Sequence, residues 1–159
     1  MIKYSAGQQP GQTIIEVIIA TGVVVLVMTA IMAGLTLSLK NTAQAKYKAL
    51  ASKLAQEGIE AFRRERDLLG FESFRAGLAS QTYCLPSIPS QLSQFGAGTC
   101  GDADGITMTG VTFFRQAEVV GATDNDPVVV EVSVTWLDPT AANPTGFHES
   151  IVTQEFQGW

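Results

Sequence analysis

Gly11–Ala20 reads G-Q-T-I-I-E-V-I-I-A, and the apolar run that opens inside this stretch decides the fold. From Val17 to Leu39 there are 23 residues and no ionisable side chain. About 20 consecutive apolar residues cross the hydrocarbon core of a bilayer as a helix, so this run reads as a membrane span. One carboxylate, Glu16, stands at its mouth. A charged carboxylate costs roughly 2.5–3.5 kcal/mol at the centre of a membrane helix and less near an end. Glu16 therefore either reaches the headgroups or finds a partner.

On the upstream side, M-I-K-Y-S-A-G-Q-Q-P-G (1–11) is short and polar, with Lys3 its only charge. It lacks the apolar stretch and small-residue cleavage site of a secretory signal. Downstream, no proline interrupts the chain between Gln12 and Pro86, and past Lys40 the hydrophobic period changes. Tyr47, Leu50, Ala51, Leu54, Gly58, Ala61 and Phe62 recur at helical spacing, while Lys46, Lys48, Lys53, Glu57, Glu60 and Arg64 take the other side. That pattern is a one-sided helix that covers a core. The spacing also offers Glu60 and Arg64 as an i,i+4 pair. The simplest assignment is one helix from about Gln12 to about Leu68, on the order of 85 Å long at 1.5 Å per residue, ended by Gly70. Its first half (12–39) is apolar all round, and its second half (40–69) is amphipathic.

Residues 70–159 form the third region. Pro86, Pro89, Gly96, Gly98, Gly101 and Gly105 make 70–105 a loop segment, with a short helical turn expected near Glu72–Leu78. Cys84 and Cys100 are the two cysteines, and downstream of a membrane segment they read as an extracytoplasmic disulfide; the alternative is a pair of free thiols on a cytosolic loop. Three strand-like runs follow: Ile106–Val120, Val128–Leu137 and Phe147–Phe156. In the second, Val128, Val130, Val132, Val134 and Trp136 share one face, against Glu131, Ser133 and Thr135 on the other. T-D-N-D-P (123–127) and D-P-T-A-A-N-P-T-G (138–146) read as turns. The fold class is therefore α+β: a long N-terminal helix whose one-sided half packs on a small antiparallel sheet of about three strands.

Charge narrows the function. Residues 70–159 hold two basic residues, Arg75 and Arg115, against ten acids. Nucleic-acid affinity rests on lysine and arginine contacts, so this head is a poor ligand for phosphate backbones. R-R-E-R (63–66) reads as the solvated face of a helix. The sole histidine, His148, lies in a strand beside Glu149 and Ser150, whose side chains alternate between faces and form no local triad. No enzyme is expected. G-D-A-D-G (101–105) and D-N-D (124–126) carry carboxylates that could hold calcium but miss the spacing of a calcium loop, so no cofactor is expected.

A weakly basic leader ending in Gly, with a Glu five residues into the following apolar run, resembles the prepilin motif of type IV pilins and type II secretion pseudopilins. The matching residues are Gly11, Gln12, Thr13, Ile14, Ile15 and Glu16, and the order of long helix, cysteine loop and terminal sheet is similar as well. Gln12 departs from the family pattern, in which phenylalanine or methionine usually follows the cleavage site. The resemblance implies a pilin-like fold and a minor-pilin-like structural subunit of a pilus or secretion filament. It implies cleavage after Gly11 by a prepilin peptidase, N-methylation at Gln12, and pairing of Glu16 with a neighbouring subunit's terminal amine. It also implies other pilin-like subunits, an inner-membrane assembly platform and the lipid membrane as partners. The head would be extracytoplasmic, reaching the cell surface after assembly. Lysine counting alone opposes this topology, because Lys40, Lys46 and Lys48 outnumber Lys3; the cysteine pair and the leader favour it. The alternative is a single-pass tethered binding module that does not polymerise.

Overall fold

The computed structural model describes residues 12–88, 90–122, 127–137 and 147–158, with the side chains of Gln12, Thr13 and Leu92 excepted. The turn expected at 138–146 lies outside the described residues, as does 123–126 of the other. The chain divides between Ala43 and Gln44 into two compact units. One helix, α1 (Gln12–Leu69), contributes to both, and it stops before Gly70, whose N–H donates to the Arg66 carbonyl at 2.9 Å.

The first unit contains the apolar part of α1. Every described side chain from Ile14 to Leu39 is exposed; Val17, Leu26 and Leu39 are 61%, 70% and 71% open. Among the described residues this is the one helix long and apolar enough to cross a membrane. Thr21, Thr29 and Thr36 do not break the apolar surface, because each hydroxyl donates back to a carbonyl three or four residues earlier at 2.9–3.0 Å.

The second unit is an α+β head. Helix α2 (Phe71–Ala76) follows α1, close to the expected turn, and buries Phe74. The sheet has six antiparallel strands rather than about three: β1 (Thr82–Cys84), β2 (Gly96–Ala97), β3 (Ile106–Met108), β4 (Val111–Val120), β5 (Val128–Leu137) and β6 (Phe147–Phe156), in the order β2-β1-β4-β5-β6, with β3 also on β4. Two causes account for the difference. Thr109 and Gly110 both take positive φ (51° and 80°), the type I′ geometry of a two-residue hairpin, so the run 106–120 folds back on itself as β3 and β4. The cysteine segment, read as loop, lays β1 along β4 and β2 along β1.

The core lies between the sheet and the Gln44–Leu69 part of α1. Val128, Val130, Val132, Val134 and Trp136 are buried on one face of β5, as their alternation requires. Ala51, Leu54, Ala55, Ile59, Ala61 and Phe62 meet them from the helix, and Tyr47 and Leu50 are half-buried at its rim. Gly58 lets helix and sheet approach closely: a Cβ there would stand 2.9 Å from Val132 Cγ1. β6 registers on β5 with Val152 opposite Val132 over ten unbroken pairs.

Candidate functional site

In the first unit the sequence points to Gly11, Gln12 and Glu16. Gly11 and the leader 1–11 lie outside the described residues. Gln12 is the first described residue of α1, and Glu16 is four residues on, one helical turn along the same face. Its carboxylate is exposed and lines, with Ile15, Ile19 and Ala20, a shallow hollow of about 430 Å³. Ile15 and Ile19 are 59% and 61% open, so the acid stands on an apolar surface with no described side chain across from it.

In the second unit Cys84 and Cys100 form a disulfide with Cα atoms 4.9 Å apart. It ties β1 to the segment that precedes the Asp102–Asp104 turn. Beneath it is a residue that the sequence reading did not single out, Arg115 of β4, 2% exposed. Its Nε donates to the Leu85 carbonyl at 3.0 Å and its Nη1 to the Leu54 carbonyl of α1 at 3.1 Å, with Glu57 Oε2 at 3.6 Å. Burial pushes the guanidinium below its ordinary range, and Glu57 partly opposes that. It still starts from so high a value that it stays charged. Arg115 thus joins helix, sheet and disulfide segment at one point.

The remaining candidates resolve into structural contacts. His148 stacks on Trp136, ring centroids 5.5 Å apart, and the Ser150 hydroxyl pairs with Ser52 of α1 at 3.0 Å. The Asp104 carboxylate accepts the Gly101 N–H at 2.8 Å, and among the described residues no three His, Cys, Asp or Glu side chains converge as a metal site. D-N-D (124–126) lies outside the described residues. R-R-E-R (63–66) is only partly a solvated face: Glu65 is buried, Arg66 lies over the Phe156 ring at 5.8 Å, and Arg63 pairs with Glu60 and donates to Gln154 at 3.0 Å. Arg64 is exposed. Comparison of the chain with models of protein families, with curated proteins and with solved structures found no match.

Proposed function

We propose that the chain is a structural subunit, pilin- or pseudopilin-like and of the minor type, of a membrane-anchored filament. One observation carries this reading: a helix whose surface from Ile14 to Leu39 is exposed and apolar, with Glu16 its single charge. Such a surface needs lipid or other helices to cover it. Cleavage after Gly11 by a prepilin peptidase creates an amine at Gln12, and its N-methylation keeps that amine cationic. Glu16 of one subunit meets the amine of the next when helices pack side by side with an axial offset. Carboxylate and ammonium are each costly in hydrocarbon and offset one another's desolvation on meeting. The pair thus favours assembly and sets its register. The acidic head stays on the extracytoplasmic side and faces outward from the filament, with no catalytic role.

Mass spectrometry of the membrane-extracted protein is the test of processing, and it should find a mature chain beginning at Gln12. Glu16→Ala should leave the protein in the membrane fraction but remove it from sheared filaments. Incorporation equal to wild type would end the pairing role, and a mature chain beginning at Met1 would end the filament reading.

A further inference from the structure

Two features of the head meet along β6. The first is an open sheet edge. β6 ends the strand order, and among the described residues no strand pairs with its far side. Natural sheets protect such edges with proline, charged side chains (lysine above all) or bulges. F-H-E-S-I-V-T-Q-E-F (147–156) has no proline and no lysine, its charges are Glu149 and Glu155, and its register on β5 is unbroken. The second feature is a groove of about 660 Å³ alongside α1, part of whose wall is Gln56, Ile59, Glu60 and Arg63 of the helix with Val152 and Gln154 of β6. Ser52–Ser150 and Arg63–Gln154 contacts brace α1 against β6, the second of them within this wall. An edge that lends main-chain hydrogen bonds, beside a groove that takes alternate side chains, is the geometry of strand addition.

Charge names the occupant. On the sheet face turned away from α1 stand Glu118, Glu131, Glu149 and Glu155, and no lysine or arginine among the described residues. Glu118 lies directly opposite Glu131, a like-charge pairing that costs stability unless a cation lies nearby. Phe147 and Ile151 share this outer face, 64% and 50% exposed. On the groove side, Val152 and Ile88 present apolar surface between the charged side chains of Lys53, Glu57, Glu60, Arg63 and Arg64. We infer that β6 is the docking edge for an extended segment of a different protein, one that alternates apolar residues toward the groove with lysine or arginine toward the outer face. A second copy of this head is disfavoured, because its strands would bring glutamates against glutamates. The inference is independent of leader processing and of filament assembly.

The test uses the full-length protein in uncharged detergent micelles and a labelled nine-residue peptide alternating valine or threonine with lysine. Binding should protect from hydrogen exchange those alternate amides of Phe147–Phe156 that point away from β5. An added strand turns only alternate N–H groups toward β6, so N-methylation at one parity should abolish binding and at the other leave it intact. Glu149→Lys with Glu155→Lys, both at exposed positions, should weaken the lysine peptide roughly tenfold and admit its glutamate counterpart. Equal effects of both N-methyl parities, or an affinity unchanged in the double variant, would overturn the inference. So would β6 protection that rises with the protein's own concentration, since the occupant would then be a second copy.

Discussion

Among the described residues, Arg115 and Glu65 are the charged side chains the head buries, and the surroundings of Arg115 make its contribution testable. Its two carbonyl acceptors belong to different elements, Leu54 on α1 and Leu85 after β1, whereas Glu57 is 46% exposed and shares its charge with solvent. A buried carbonyl that loses its donor costs about 1–3 kcal/mol, while an ion pair with one exposed partner contributes under about 1 kcal/mol. Arg115→Met, which keeps the bulk and removes the donors, should therefore lower the urea midpoint by the equivalent of about 2 kcal/mol. Glu57→Gln should barely move it. Equal midpoints for wild type and Arg115→Met would mean that packing, not the guanidinium, holds the three elements together. The position was legible in one respect: within V-T-F-F-R-Q-A-E-V-V, alternation sets Arg115 on the same face as Phe113 and Ala117. What it meets there was not, because its acceptors are backbone carbonyls 30 and 61 residues away, and carbonyls leave no mark in a sequence.

Elements long enough to express a period were legible, and shorter ones were not. β5 shows its buried valines by strict alternation, and the stripe from Tyr47 to Phe62 shows the helix face. β1 and β2 are three and two residues long, too short for any period, and they exist because Cys84 and its neighbours are held against β4. The hairpin at Thr109–Gly110 hid inside one β-rich run, although a Gly between threonine- and valine-rich halves is a usable turn signal. The disulfide should act mainly on these small elements. Closing a loop with a sequence separation of 16 is worth roughly 3 kcal/mol in the chain-entropy model. Cys84→Ser with Cys100→Ser should lower the thermal midpoint accordingly. Hydrogen exchange should accelerate first at Thr82–Cys84 and Gly96–Ala97, while amides of β5 between β4 and β6 keep protection close to the global stability. Uniform acceleration across all six strands would show instead that the bridge supports the whole sheet.

At the scale of the molecule, the span and the one acid at its mouth could be read directly, because composition and fixed offsets determine both. The open edge of β6 could not, since it depends on which strand ends the sheet. The division between Ala43 and Gln44 gives the two units different requirements. Among the described residues, all the buried apolar side chains belong to the second unit, together with both cysteines and every strand. The exposed apolar surface, long enough to cross a membrane, belongs to the first. A chain beginning at Gln44 should therefore fold in water without detergent, keep the disulfide and unfold in one cooperative transition by both circular dichroism and tryptophan fluorescence. Its Gln44–Leu69 helix is stabilised by packing on the valine face rather than by propensity, since most helical stability in proteins comes from tertiary contacts. A chain beginning at Glu57 lacks Tyr47, Leu50, Ala51, Leu54 and Ala55, and with them the apolar cover over part of the core. It should retain strand signal but lose the cooperative transition and bind a hydrophobic dye. If the Gln44 chain behaves like the Glu57 chain, the head draws its stability from residues before Gln44, and the division of roles between the units fails.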